Sequence, residues 1–385
     1  MCNTVVRVNQ QQFSSSHTPG LDRFWAVIPA GGVGTRLWPL SRAAAPKFLH
    51  DLTGSGQTLI RATYDRLQPL AGEKVIVVTG EAHHEAVCAQ LSDVAQENFL
   101  FEPEPKDSAA AIGLAAAVLL ERDPEAIMGS FAADQVIGPD DVFRTAVAEA
   151  IATAATNKIV TIGIKPTYPS TGFGYIQQGD KLDVDGAPTA YQVVKFVEKP
   201  EADVAKRYIE AGNFFWNAGM FVAPVKLLLE HLEANEPELH AGVTKIAKAI
   251  VSGDANEVMA DVWHQLPKTA IDYAVAEPAA QAGDVAVIPG DFTWDDVGDF
   301  AAIARLNPAA DDSGVTVIGE TPRVYSDAAN GVVVTDTSRV IALIGVEDIV
   351  VVDTPDALLV TTTKHAQSVK QAVESIKAHG DDDVL

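Results

Sequence analysis

Residues 24–49, FWAVIPAGGVGTRLWPLSRAAAPKFL, constrain this chain more tightly than any other stretch. They open on a short apolar run, 25–28, that reads as a buried strand. A glycine-rich turn follows, then Arg36, and eleven positions later Lys47. Gly31, Gly32 and Gly34 have no side chains to block a polyanion, so their backbone N–H groups can turn inward on phosphate oxygens. Arg36 adds a planar fork able to hold two oxygens at once, and Lys47 adds a point charge.

The glycine spacing separates this loop from two other phosphate-binding patterns. A Walker A loop ends in Gly-Lys-Ser/Thr, whereas this one ends Gly34-Thr35-Arg36. The dinucleotide fingerprint needs a small third residue where this chain has Leu37. Asp51 stands near the position of that fingerprint's ribose carboxylate, but it closes no evident strand and is taken as coincidental. A plain strand-to-loop turn with incidental glycines is the alternative, and the accompanying Arg36 and Lys47 weigh against it.

The chain then alternates between helical and strand patterns. Residues 59–70 predict an amphipathic helix, and 74–79, KVIVVT, an apolar strand ended by Gly80. His83 and His84 open a helix; as neighbours they point to different faces and make a poor metal pair. Residues 102–108, EPEPKDS, form a turn-rich lead into an alanine-rich helix at 109–120, with Asp107 or Ser108 as its N-cap. Residues 126–133 predict a strand ending in Asp134. A carboxylate there sits where open α/β sheets bind ligands, although it could equally cap the next turn. Mg²⁺ takes oxygen ligands, and one or two carboxylates plus substrate phosphates suffice for it.

After a strand at 158–164, Gly172 and Gly174 flank an aromatic residue and allow close backbone approach to a ligand, or simply make a hairpin. Residues 190–197 alternate like an edge or mixed strand and deliver Glu198-Lys199-Pro200. The proline holds the preceding pair extended, although a Glu–Lys pair is usually a surface ion pair of little worth. Residues 214–221, FFWNAGMF, are mostly apolar around Asn217, whose amide needs a partner such as a sugar hydroxyl. The last strand of this region, 285–288, leads to FTWDDVGD. From about Gly314, short β runs at 332–334, 340–344, 349–352 and 358–360 recur every eight to ten residues with turn residues between them. A final helix at 365–377 precedes an acidic tail.

Gly31-Gly32-x-Gly34-Thr35-Arg36-Leu37, then Trp38-Pro39-Leu40-Ser41-Arg42, then Pro46-Lys47, resembles the signature of the sugar-1-phosphate nucleotidyltransferases. The Trp-Pro-Leu-Ser-Arg part is most similar to that of the mannose-1-phosphate guanylyltransferases, and the resemblance covers nearly all of the chain after its first residues. It implies an α/β fold: a Rossmann-like domain with a mixed, mostly parallel sheet at 24–305, then a small β-helix-like domain at 306–385; the polar composition of 10–20 predicts a disordered tail at 1–23. The resemblance implies transfer of GMP from GTP to α-D-mannose 1-phosphate, giving GDP-mannose and pyrophosphate. Nucleotide contacts fall to Ala30, Gly31, Gly32, Gly34 and Thr35, with Arg36 and Lys47 catalytic. The stretch around Lys106, Asp107 and Ser108 lies beside the base, where relatives carry Arg, Asn and Thr. Gly172, Gly174 and Tyr175 line the sugar pocket, Glu198 and Asn217 meet the sugar, and Lys199 meets its phosphate. Asp134 and Asp296, rather than Asp295, hold Mg²⁺. Asp272 also matches the family and is expected to act mainly as a structural cap. His84 departs from the family's usual Arg.

Charge and cysteine content narrow the setting. A formal net charge of -24 repels nucleic acid and anionic membranes, so neither is an expected partner. Two cysteines, Cys2 and Cys88, make no disulfide framework, and the longest apolar run, 109–120, is too short to span a bilayer. A cytoplasmic homo-oligomer, most simply a dimer, is the expectation. The chain is too short to include the isomerase domain of longer relatives. A sister enzyme with another nucleotide or sugar, and a catalytically silent GDP-mannose-binding regulator, are the alternatives; a nicotinamide oxidoreductase is disfavoured by the loop spacing.

Overall fold

A computed structural model describes residues 18–309, 314–319 and 322–385. Most of the expected N-terminal tail, residues 1–17 with Cys2, lies outside the described residues. Its last part does not hang free, since Leu21–Arg23 form a 3-10 turn leading directly into the first strand.

The strands are β1 (Phe24–Ala30), β2 (Val75–Gly80), β3 (Phe99–Glu102), β4 (Ile127–Ser130), β5 (Val136–Gly138), β6 (Ile159–Ile164), β7 (Tyr175–Lys181), β8 (Tyr191–Val197), β9 (Phe214–Pro224), β10 (Val285–Gly290) and β11 (Thr293–Asp295). Nine of these form one sheet in the order β3-β2-β1-β4-β9-β6-β10-β8-β7. The wing β3-β2-β1-β4 is parallel, as its near-continuous apolar runs require for a sheet covered on both faces. Beyond it the long strand β9 runs antiparallel to β4, β6 and β7, and β8 antiparallel to β7 and β10. The sheet is therefore mixed, with a larger antiparallel share than expected: β8 returns from β7 without a helix, and β9, reached through the helix Ala202–Ala211, runs antiparallel to three neighbours. The alanine-rich helix Ser108–Arg122 and the helices Val225–Asn235 and Pro237–Ser252 cover one face; Leu59–Ala71 and Asp140–Ala154 cover the other.

The C-terminal region adds β12 (Val315–Ile318), β13 (Arg323–Asp327), β14 (Gly331–Thr335), β15 (Val340–Ile344), β16 (Ile349–Asp353) and β17 (Leu358–Thr362). The strands β12, β14 and β16 stack in parallel, as do β13 and β15, and this stacking builds a short β-helix closed by antiparallel β17. It is joined to the larger domain by a shared apolar cluster. Leu37, Trp38, Val297, Phe300 and Ile303 pack there with Val332, Val334, Val350 and Val352. The Trp38–Arg42 stretch faces this junction: the Trp38 indole donates to the Val384 carbonyl at 2.7 Å, and the Arg42 fork grips both Asp356 carboxylate oxygens at 2.7 and 2.6 Å. Among the described residues no helix is long and apolar enough to cross a membrane.

Candidate active site

The glycine loop leaves β1 at its carboxyl end. Gly32 and Gly34 adopt φ of 83° and 75°, which glycine takes without a side-chain penalty. Gly34 is also closely packed: a Cβ on it would lie 2.9 Å from the Lys47 Cβ. The Lys47 stem therefore passes directly beneath the loop, and its amide donates to the Val33 carbonyl at 3.3 Å. Ser41, almost fully buried, donates to the Gly34 carbonyl at 2.5 Å. Thr35 and Arg36 project into solvent, and no carboxylate pairs with Arg36 among the described residues.

Lys47 is the cation of the buried floor. Its ammonium lies 2.7 Å from Asp134 Oδ2 and 2.5 Å from the Asp296 carbonyl, and its side chain is 9% exposed. Asp134 reaches this point because the chain after β4 stays alongside β1, with the Phe131 and Ala133 amides donating to the carbonyls of Val27 and Pro29. Asp296 follows β11, which pairs antiparallel with β5 so that Asp295 lies opposite Val136, two residues after Asp134. Burial raises its carboxyl pKa, Lys47 opposes that rise, and Asp295 and Asp134 add to it. Asp295 is separately occupied: it accepts the Val297 amide at 2.8 Å and pairs with Arg305 at 2.5 Å. Val297 is fully buried with φ of 47°, an uncommon conformation for a β-branched residue, and this turn aims Asp296 inward. Among the described residues no cluster of three or more His, Cys, Asp or Glu side chains could hold a metal alone. The Asp134 and Asp296 carboxylates beside the glycine loop nevertheless have the chemistry that a hard divalent cation takes, with waters and phosphate oxygens completing its shell.

A second group of polar side chains surrounds Asn217 on β9. Its carbonyl accepts from Thr161 Oγ1 and the Gly219 amide, each at 3.1 Å, and its Nδ2 donates to Asp272 Oδ1 at 2.7 Å. Asp272 is not the cap expected of it: Ile271 holds the N-cap position of the helical segment Asp272–Ala276, and the Asp272 carboxylate belongs to this cluster. Burial, then the Glu198 charge, pushes its carboxyl up to about 6. Glu198 is nearly buried, with a side chain 7% exposed; Oε1 pairs with Lys199 at 2.8 Å, while Oε2 is buried without a partner. A Cβ at Gly174 would overlap Oε2, so the glycine makes room for this carboxylate. The hydrogen bond to Glu198 raises the Lys199 pKa, and Lys199 itself has φ of 45°, so Pro200 does not hold it extended as expected. Tyr175 differs from its expected pocket-lining place. It is fully buried, and its hydroxyl donates to the Ser170 carbonyl at 3.0 Å, which steadies the loop carrying Gly172. Phe173, Trp216 and Trp294 form an aromatic wall beside it, with ring centroids 5.1 Å apart.

The turn after β3 leads into the alanine-rich helix with Asp107 as its N-cap, as expected. Lys106 pairs with Glu104 at 2.9 Å and donates to the His264 carbonyl at 2.8 Å. Asp107 accepts the Ser108 amide as N-cap, and Ser108 Oγ accepts the Ile271 amide. Lys106 and Ser108 thereby tie the turn to the 264–271 segment. The residue that sequence reasoning missed is Glu102 at the end of β3. It is 8% exposed, its Oε1 is buried without a partner, and burial pushes its carboxyl up to about 7. The missed signal was a lone Glu ending an apolar strand, where water would normally be needed to solvate it.

The nucleotidyl transferase family model matches residues 25–313. The chain belongs to the nucleotidyl transferase family. A second family model, the MannoseP isomerase/GMP-like beta-helix domain, matches residues 323–376. The mannose-1-phosphate guanylyltransferase of Escherichia coli K12 is 36% identical over 368 residues, 93% of this chain and 74% of that protein. The enzyme of the same name from Klebsiella pneumoniae is 35% identical over 354 residues, 91% of this chain and 73% of its own. Among solved structures, one described as a mannose-1-phosphate geranyltransferase from Thermus thermophilus superposes with a TM-score of 0.79 at 30% identity. It covers 92% of this chain and 99% of that one. The nucleotidyl transferase fold thus accounts for the large domain, and the β-helix match for the small one.

Proposed function

We propose that this nucleotidyl transferase moves GMP from GTP to α-D-mannose 1-phosphate, releasing pyrophosphate and forming GDP-mannose. The observation that carries the reading is the convergence of Lys47, Asp134 and Asp296 beneath the glycine loop, in a chain whose relatives bear the mannose-1-phosphate guanylyltransferase name. A phosphate oxygen of the sugar phosphate attacks the α-phosphorus of GTP, and the bond from that phosphorus to the bridging oxygen breaks as pyrophosphate leaves. No protein nucleophile is required, so catalysis is alignment and charge neutralisation. Mg²⁺ held by Asp134 and Asp296 would neutralise charge at the α-phosphate. Arg36 and the loop amides hold the triphosphate, and Lys47 steadies the leaving pyrophosphate. Lys199 aims the sugar phosphate, while Glu198 Oε2, Asn217 and Asp272 take sugar hydroxyls.

Glu102 reads the base in this scheme. Ala30 pairs with Thr79 and Gly80 with Glu102, so Glu102 stands two strands from the glycine loop along the same edge of the sheet. That is about 10 Å, a span a nucleoside triphosphate bridges from its phosphates to its base. Guanine offers two adjacent N–H donors on its pairing edge, which an ionised carboxylate accepts together; adenine offers an acceptor there. The carboxyl is pushed up to about 7 in the free protein, so below that pH binding must first remove a proton. GTP affinity is therefore expected to fall by about tenfold per pH unit below neutrality, relative to a Glu102→Gln variant that lacks the titration. Parallel pH profiles for the two proteins would refute the assignment.

For assembly we infer a homodimer, supported by exposed Tyr325, Val340, Ile344, Leu358 and Val360 on the β-helix. The sparse cysteines suit a cytoplasmic setting. The deciding experiment is pyrophosphate release with Mg²⁺ across five nucleoside triphosphates and the 1-phosphates of mannose and glucose. Release confined to GTP with mannose 1-phosphate is expected. Release with another pair keeps the chemistry and changes the substrates. No release, together with tight GDP-mannose binding, turns the reading into a regulator.

A further inference from the structure

We infer that the β-helix domain is a working part of the nucleotide site, and that Asp356 on it is a positioning residue for the glycine loop. The inference rests on the GTP-dependent reading above. All three Arg42 guanidinium nitrogens are committed: Nε donates to the Pro39 carbonyl at 3.0 Å, Nη1 to Asp356 Oδ2 at 2.7 Å, and Nη2 to Asp356 Oδ1 at 2.6 Å and Thr354 Oγ1 at 3.2 Å. The fork thus fixes the Arg42 backbone against the turn between β16 and β17 in both distance and rotation.

That fixed point is short-wired to the loop. Arg42 and Ala45 close a turn through reciprocal backbone hydrogen bonds of 2.9 and 3.1 Å. On one side of the turn, Ser41 hangs on the Gly34 carbonyl; on the other, Lys47 hangs on the Val33 carbonyl. Asp356 therefore reaches both the glycine loop and the buried lysine through the same turn. The surroundings give the clasp its importance. A cavity of about 830 Å³ opens between the domains along Pro39, Arg42, His50, Asp336 and Asp356. Arg42 itself borders this cavity and is held by polar contacts, whereas Leu37 and Trp38 are seated in the shared cluster and Leu40 packs against it. The loop is pinned at its Leu37 end by packing and at its Arg42 end by polar contacts: His83 and His50 meet the Ala43 and Ala45 carbonyls at 2.9 and 3.0 Å from the larger domain, and Asp356 with Thr354 supplies the hold from the β-helix.

The test is a double-mutant cycle of Arg42→Ala, Asp356→Ala and the pair, with KM measured for each substrate and hydrogen exchange followed at residues 31–37. Losing one partly exposed bidentate pair is expected to raise KM for GTP by about tenfold, leave KM for the sugar phosphate unchanged, and hasten exchange in the loop. The double variant should match either single one, since all three break the same contact. A fall in melting temperature alone, with both KM values and loop exchange unchanged, overturns the inference, as do additive effects on KM. If the wild-type protein shows no turnover, the functional reading fails by itself; loop exchange in Asp356→Ala then still decides the clasp, and unaltered exchange rejects it.

Discussion

Lys47→Gln is expected to retain the fold and lose turnover by about 10²–10³-fold, the range for removing one preorganised charged donor from a reaction that depends on charge neutralisation. The lysine lies between a carboxylate and a carbonyl, at 2.7 Å from Asp134 and 2.5 Å from Asp296, with 9% of its side chain exposed. A glutamine amide occupies much of the same volume but leaves Asp134 facing the buried Asp296 without a cation between them. Since the proposed charge on pyrophosphate grows as the bond breaks, the loss should appear in kcat as well as in KM for GTP. Lys47→Arg is not expected to rescue. The stem runs against Gly34, where a Cβ would already lie 2.9 Å away, and a planar fork cannot turn in that channel. Steady-state kinetics of pyrophosphate release check both variants. Activity of Lys47→Gln within tenfold of wild type would remove Lys47 from the chemistry.

Asp296→Ala is expected to lower turnover by about 10³-fold or more, several kcal/mol of transition-state stabilisation, because it removes half of the proposed cation site. Unlike Lys47, Asp296 is delivered by a turn with its own support: Val297 at φ of 47°, Asp295 bonded to the Val297 amide, and Arg305 on Asp295. Truncating Asp296 leaves these contacts intact, so the defect should be local. Two readouts separate it from misfolding: an unchanged melting temperature, and weakened Mn²⁺ binding measured without nucleotide. Asp295→Ala should behave oppositely, losing stability through Arg305 and Val297 while keeping metal binding. Tight Mn²⁺ binding by Asp296→Ala would reassign the ligand.

The glycine loop, Arg36, Lys47 and Asp134 were legible because the loop and Asp134 each follow an apolar strand, where composition changes abruptly from buried to charged. The β-helix was legible from the period of its short apolar runs. What sequence could not convey was which side of a motif faces the ligand. Trp38 and Arg42 sit in the same signature as the glycine loop, yet they face the neighbouring domain. Tyr175 follows the pocket-lining glycines, yet alternation turns it into the core. Asp272 sits at the start of a helical segment, where a capping role is the ordinary guess, and only the tertiary approach of Asn217 gives it another. Glu102 escaped notice because an unpartnered buried carboxyl has no sequence pattern; it is defined by what fails to surround it.

The apolar cluster shared by the two domains also bears on how this chain can be cut. The two family matches, 25–313 and 323–376, invite a boundary between them. A cut there would leave Leu37, Trp38, Val297, Phe300 and Ile303 as a greasy scar on the larger fragment, next in the chain to the glycine loop and the Asp296 turn. The boundary between the two matches is thus no boundary in the packing, and the larger fragment is not a self-contained module.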